Sequence, residues 1–199
     1  MSRNRLYKLF WETAYCIGLT PWDTGEPPKQ LQILVERGYI TPCRVVDIGC
    51  GTGTSSIYLS KHGFEAVGID ISGEAIKKAM LKAWKEDAKC RFIIGDITDY
   101  KEVVSHNLGR FDLALDIGCL HSIIPSKRRH LYRRTLDILL KRGGTLLLWS
   151  FTRGFPGPPG LSPEDVTNLF RDGYVIELSI RFWWQIRWAR FYIIKRIRA

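Results

Sequence analysis

One stretch, residues 44–71 (RVVDIGCGTGTSSIYLSKHGFEAVGIDI), constrains the chain more than any other. A short apolar run ends on Asp47-Ile48. The turn Gly49-Cys50-Gly51-Thr52-Gly53 follows, and Ile57, Tyr58 and Leu59 then fall in a helical pattern closed by Gly63. Residues 66–69 make a second apolar run, ending on Asp70. That order predicts strand, loop, helix, strand, the repeating unit of a doubly wound α/β sheet. Glycines at 49 and 51 let the backbone turn sharply and let a ligand approach with no Cβ in the way. The helix that the loop opens carries free N–H groups, which favour a carboxylate or phosphate. An acid at the tip of the second strand, about twenty residues on, suits a ribose diol. The unit reads as a site for a nucleoside-bearing ligand; the plainer alternative is a glycine turn that holds none.

Glycine spacing narrows the ligand. A dinucleotide fingerprint asks for glycine at 49, 51 and 54. Here position 54 is threonine and the third glycine is Gly53. Asp47 also precedes the first glycine by two places; that charge disfavours a phosphate and tolerates a ligand carrying an ammonium and a sulfonium. The D-x-G-C-G-x-G form, with Asp70, closely resembles motif I and the second-strand acid of class I S-adenosylmethionine-dependent methyltransferases. The resemblance implies a Rossmann-like, mostly parallel seven-stranded sheet with an antiparallel last strand. It implies S-adenosylmethionine as cofactor, S-adenosylhomocysteine as product, and cofactor contacts from Asp47, Gly49, Cys50, Gly51, Thr52, Asp70 and Ile71.

With 199 residues the chain suits one domain with a single core. We expect an N-terminal cap and loop over residues 1–40 and the Rossmann-like core over 41–199. The five cysteines, Cys16, Cys43, Cys50, Cys90 and Cys119, include no C-x-x-C pair. Reduced thiols, no metal site and a cytoplasmic location are therefore expected. Lys8 and Glu12 interrupt any apolar segment of a secretory signal, and no run is long enough to span a membrane. A net charge of +10 attracts nucleic acid, anionic lipid or acidic substrates, or simply keeps the protein soluble.

Leu6, Leu9, Phe10, Thr13-Ala14 and Ile17 recur at helical spacing, predicting an amphipathic helix packed on the core edge or capping the ligand. The next segment, Thr20-Pro21-Trp22-Asp23-Thr24-Gly25-Glu26-Pro27-Pro28, is a stiff irregular loop. It resembles a segment of thiopurine and thiol S-methyltransferases and of the tellurite-resistance type, which implies Trp22 as a cofactor contact. A short helix carrying Leu31, Leu34, Val35 and Tyr39 leads to the first strand. Residues 74–84 predict a helix with Ile76, Ala79, Met80 and Ala83 inside, followed by a strand over 90–94. The acid after that strand, Asp96, and its neighbour Ile97 occupy the places where the family holds the adenine; Asp96 is otherwise a turn cap.

A fourth strand over residues 111–116 leads to Ile117-Gly118-Cys119-Leu120-His121. Ligands of open parallel sheets sit beyond the carboxyl ends of the strands, so Asp116 and His121 are the candidate catalytic pair, His121 as base, with Asp116 also a cofactor contact. There is no N-P-P-Y-like tetrad for a planar nitrogen and no Pro-Cys pair after this strand. Residues 127–140 predict a basic helix, with Leu131, Leu136, Leu139 and Leu140 toward the sheet and its arginines solvated. A turn at 141–144 leads to a strand over 145–149. A proline loop over 152–160 reads as a lid, and Ser162-Pro163 starts a further helix. Strands over 174–180 and 188–196 end the chain. From Arg181 onward tryptophans alternate with cations and no acid occurs. Such a tail can stack bases or meet a lipid interface; the plainer reading is two sheet strands with aromatic cross-strand pairs.

The expected activity is methyl transfer to a small, aromatic or apolar acceptor through a thiol, hydroxyl or ring nitrogen. Two alternatives remain: an RNA methyltransferase, and a cofactor-binding subunit that needs a partner.

Overall fold

The computed structural model describes residues 3–154 and 157–197. Pro156 of the proline loop and Arg198 of the basic tail lie outside them. The chain divides into two compact units, Met1–Asp96 and Ile97–Ala199, so the cap expected over residues 1–40 and the first half of the core share one unit.

The first unit runs α1 (Arg3–Ile17), α2 (Lys29–Glu36), β1 (Arg44–Ile48), α3 (Thr54–Lys61), β2 (Glu65–Asp70), α4 (Gly73–Lys85) and β3 (Arg91–Ile94). β2 pairs in parallel with β1 and with β3, in a register that sets Asp47 beside Gly68 and Asp70 beside Ile94. Val45, Val46, Ile48, Ala66, Val67 and Ile69 are all buried, as expected of strands covered on both faces. Ser72 caps α4, its Oγ accepting the Ala75 N–H at 3.1 Å. Ala75, Ile76, Ala79 and Ala83 face inward as expected, but Met80 does not: it is 58% exposed. The adjacent turn of α4 buries alanines instead, which lets the helix lie closer to the sheet than a Met side chain allows.

The helix α1 forms where the periodicity places it, but with its apolar stripe turned outward. Leu6, Leu9, Phe10 and Ile17 are exposed, while Ala14 and Tyr15 are buried. Polar contacts hold the inner face. The Glu74 N–H donates to Glu12 Oε1 at 3.2 Å, and Lys78 Nζ donates to the Tyr15 carbonyl at 2.5 Å.

The second unit runs α5 (Tyr100–Ser105), β4 (Phe111–Ile117), α6 (Arg129–Leu139), β5 (Leu140–Phe151), α7 (Pro163–Phe170), β6 (Tyr174–Trp184) and β7 (Arg187–Arg196). The residues expected to turn at 141–144 are a bulge: Phe111 pairs with Leu140 and Leu113 with Thr145, so the β4–β5 ladder shifts register between them. Ser162 and Asp165 form a capping box at the start of α7. The basic helix departs from expectation. Leu131 is 43% exposed, whereas Arg128 and Arg129 are buried. Arg128 Nη2 donates to Thr98 Oγ1, and Arg129 Nη2 donates to the His121 and Gly160 carbonyls. Arg133 donates to the Leu169 and Asp172 carbonyls while stacking on Tyr174. These arginines tie loops to the helix, and that need overrides their preference for water.

Strand order through the sheet is β3-β2-β1-β4-β5-β7-β6, with β7 antiparallel to both its neighbours. This is the expected mostly parallel sheet with an antiparallel last strand. The chain's tail forms a hairpin: Trp183 lies opposite Trp188, edge to face at 5.3 Å. Among the described residues no helix is long and apolar enough to cross a membrane.

Candidate active site

The glycine turn follows β1 and is anchored to β2. The N–H groups of Gly49 and Cys50 both donate to the Ile69 carbonyl, at 2.8 and 3.1 Å. The turn takes its shape from positive φ at Gly49, Gly51 and Gly53, a conformation that costs an L-residue with a side chain about 1–2 kcal/mol. At Gly51 and Gly53 space is short as well. A Cβ on Gly51 would lie 2.7 Å from Tyr15 Oη, and one on Gly53 2.7 Å from Phe92 Cζ. Gly68 of β2 likewise leaves room for Cys50, whose Sγ a Cβ there would meet at 2.7 Å.

Asp70 closes the turn. Its Oδ2 accepts the Gly51 N–H and its Oδ1 the Ser72 N–H, both at 2.9 Å. Burial raises its pKa above the usual carboxylate range, against these bonds and assisted by the charge of Glu12. The Gly95 N–H donates to the Asp70 carbonyl at 2.8 Å, bringing the residue before Asp96 to the tip of β2. Ile71 and Asp96 are half-buried, and Ile97, the first residue of the second unit, is buried.

Asp47 is buried beneath the turn. Its Oδ2 accepts the Ser56 hydroxyl at 2.7 Å, and burial lifts its pKa to about 6, the Asp70 charge adding to the rise. In this arrangement Asp47 fastens the first turn of α3 to β1. Thr52 donates its hydroxyl to Asp23 Oδ2 at 2.6 Å, with Thr54 Oγ1 at 3.4 Å from Oδ1.

Two elements of the N-terminal segment therefore close over the turn. Trp22 Nε1 donates to Tyr15 Oη at 3.2 Å, and Tyr15 is the group nearest the missing Cβ of Gly51. Burial, with Asp70 next, holds the Tyr15 phenol far above its ordinary range, so it is a neutral donor. Glu12 is anchored through Oε1, while its Oε2 is buried without a hydrogen-bond partner. Sequence reasoning placed Trp22 here but missed Glu12, Tyr15 and Asp23. The P-W-D run carried a signal for Asp23; the other two lie on the face of α1 opposite the apolar stripe. That stripe, with Leu19, Pro21 and Trp22, lines an apolar groove of about 570 Å³.

In the second unit Asp116 lies near the end of β4 and His121 follows it, and both side chains are hydrogen-bonded to backbone N–H groups. Asp116 is fully buried: Oδ1 accepts the Cys119 N–H at 2.9 Å and Oδ2 the Leu120 N–H at 3.0 Å. These bonds hold the start of the single turn Leu120–Ser122. His121 Nδ1 accepts the Phe151 N–H at 3.2 Å, which fixes the proton of the neutral ring on Nε2. Burial, with Arg187 and Arg129 nearby, lowers its pKa to about 3. A neutral imidazole whose one lone pair is occupied donates a hydrogen bond at Nε2 and does not accept a proton at neutral pH. Nδ1 of His121 is thus engaged by the backbone, and the Asp116 carboxylate holds the turn after β4. His121 packs with Phe151 and Trp149, ring centroids 5.2 and 6.1 Å away, and Trp149 Nε1 is buried without an acceptor. Arg187 spans the proline loop, donating to the carbonyls of Thr152 at 2.5 Å and Pro158 at 3.0 Å.

Comparison with known proteins adds four findings. A family model described as "Methyltransferase domain" matches residues 45–144. "Probable thiol methyltransferase 2" of Arabidopsis thaliana is 31% identical over 153 residues, 75% of this chain and 65% of that protein. A 2-heptyl-1-hydroxyquinolin-4(1H)-one methyltransferase of Mycobacteroides abscessus is 25% identical over 162 residues, 79% of this chain and 69% of that protein. The chain thus spans about two thirds of the length of both. Among solved structures, the 1,6-didemethyltoxoflavin-N1-methyltransferase of Burkholderia thailandensis superposes with a TM-score of 0.78 at 18% identity. That match covers 98% of this chain and 88% of the other, and it reports the fold.

Proposed function

The chain belongs to the family of class I S-adenosylmethionine-dependent methyltransferases, and on that premise we propose that it methylates a small apolar acceptor at a thiol or another atom that needs no base from the protein. The carrying observation is the state of His121: its Nδ1 is engaged by Phe151 and its pKa is lowered to about 3.

The cradle fits the cofactor on three counts. Gly51 and Gly53 let the turn keep its left-handed shape while packed on Tyr15 and Phe92, where a Cβ would clash. Asp70 uses two of its roughly four lone-pair sites on backbone N–H groups and keeps the others for a diol. Glu12 Oε2 is a buried acceptor awaiting a donor. Gly49, Cys50, Gly51, Thr52, Asp70, Ile71, Trp22 and Asp96, all in the first unit, are the proposed holders. Asp47 supports from beneath, its charge complementing a cationic ligand. When bound, the cofactor supplies an electrophilic methyl group on a sulfonium. The protein's own part is to hold, align and desolvate the acceptor atom at ~3 Å from that carbon. A thiol ionises appreciably near neutral pH, so it needs no general base. The apolar groove along α1 suits an acceptor with a hydrocarbon or aromatic body, and the Arabidopsis and mycobacterial names agree with both parts. Asp116 and His121 serve as positioning residues, holding the turn after β4.

Methyl transfer from labelled cofactor to aromatic thiols of graded acidity tests this. The pH profile should follow each thiol's own pKa, and phenols of similar shape should react far more slowly. A single profile with one midpoint near 6–7 for every acceptor would restore a protein base and overturn the proposal.

A further inference from the structure

The inner face of α1 carries a carboxylate that is only half engaged among the described residues. Glu12 Oε1 accepts the Glu74 N–H at 3.2 Å, which fixes the side chain at the start of α4. Its other oxygen is buried with no hydrogen-bond partner among the described residues. Buried carboxylate oxygens without donors are costly and uncommon, so the position asks for one from outside the chain. It lies against the cradle: Oε1 is 3.5 Å from where a Cβ on Gly73 would stand, and Glu12 raises the pKa of Asp70 through its charge.

The needs of a ribose diol complete the case. Two vicinal hydroxyls are best held by acceptors on both sides, and charged acceptors make the stronger bonds. Asp70, the acid that sequence logic assigns to the diol, has each oxygen engaged by a backbone N–H. Glu12 brings a buried oxygen that accepts no hydrogen bond among the described residues. We propose that Glu12 Oε2 accepts a hydrogen bond from a ribose hydroxyl of the bound nucleoside, so that the sugar is gripped between β2 and the N-terminal helix. This rests on the cofactor reading given above and adds α1 to it. It also accounts for the orientation of α1: the helix keeps its apolar stripe outward because its polar face is the one that meets the ligand.

The test is calorimetric titration of S-adenosylhomocysteine and its 2′- and 3′-deoxyribose analogues into the wild-type protein and Glu12→Gln. The amide keeps the shape and the acceptor for the Glu74 N–H, but presents an uncharged donor to the sugar. We expect S-adenosylhomocysteine to bind Glu12→Gln ~10- to 100-fold more weakly. One deoxy analogue should bind the two proteins within about twofold. The ligand-free thermal midpoint should be unchanged or higher, because an unpartnered buried charge has been removed. Equal affinity of the two proteins for S-adenosylhomocysteine would overturn the inference while leaving the cofactor reading standing. So would a lowered ligand-free midpoint with all three ligands weakened alike, the mark of a structural role. Failure of the wild-type protein to bind S-adenosylhomocysteine would overturn both.

Discussion

Replacing Asp70 separates its structural task from the ligand-binding one proposed for it. Its carboxylate accepts the N–H groups of Gly51 and Ser72, at 2.9 Å each, and is only 7% exposed. Asp70→Ala leaves both N–H groups without an acceptor. Each such loss costs about 1–3 kcal/mol, so the gross penalty is about 2–6 kcal/mol. Part is returned, because the ligand-free protein no longer buries a carboxylate whose pKa burial has raised. Asp70→Asn keeps one carbonyl oxygen, so only one N–H is lost, at about 1–3 kcal/mol. Urea unfolding at pH 7.5 without ligand reads these values directly. The order of stability should be wild type, then Asn, then Ala, and the loss should be present before any cofactor is added. Glu12→Gln serves as the internal contrast, since no protein donor depends on Oε2. If Asp70→Ala unfolds at the wild-type urea midpoint, the view of Asp70 as the pin of the glycine turn is refuted, whatever happens to binding.

Asp47 should make stability depend on pH. Its pKa is raised to about 6 on folding from 3.8, so its contribution is fully present below pH 4 and lost as pH rises through 6. Asp47→Asn should therefore stabilise the ligand-free protein at pH 7.5 by about 1–3 kcal/mol, with the gain gone at pH 4, as thermal melts at the two pH values would record. Gly53→Ala must adopt a φ near +78° and meets Phe92 Cζ at 2.7 Å; a loss of at least about 1–2 kcal/mol is expected in the same melts. His121→Ala removes the acceptor of the Phe151 N–H and should cost at least about 1–3 kcal/mol. The pH midpoint of thiol methylation should nevertheless remain that of the acceptor; a displaced midpoint would return His121 to proton transfer.

Much of this fold was legible because its signals are local. Alternating apolar runs ending in Asp47, Asp70 and Asp116 mark the strands, the glycine spacing marks the turn, and Ser162-Pro163 marks the start of α7. What escaped depends on distant partners. α1 was placed correctly, but its contacts to α4 join residues 62 and 63 positions apart, and no periodicity shows that a helix will bury its polar face. The arginines of α6 look solvated by composition, yet the Gly160, Leu169 and Asp172 carbonyls they hold lie 31, 36 and 39 positions away. The short α5 has little periodicity to read; its one signal is Asp99, which caps the N–H groups of Lys101 and Glu102. His121 stands out in the sequence as the candidate base after β4, but its protonation is set by Phe151, Arg187 and Arg129, none of them near it in sequence except Arg129.

The central claim is that the turn at residues 49–53, closed by Asp70 and covered by Tyr15 and Trp22, is a nucleoside-sulfonium cradle. Titration calorimetry of the wild-type protein with S-adenosylhomocysteine at pH 7.5 tests it most directly. One-site binding, at micromolar or tighter affinity and with adenosine alone binding more weakly, is the predicted result. No heat at millimolar S-adenosylhomocysteine, from a protein whose melt shows it folded, would contradict the claim.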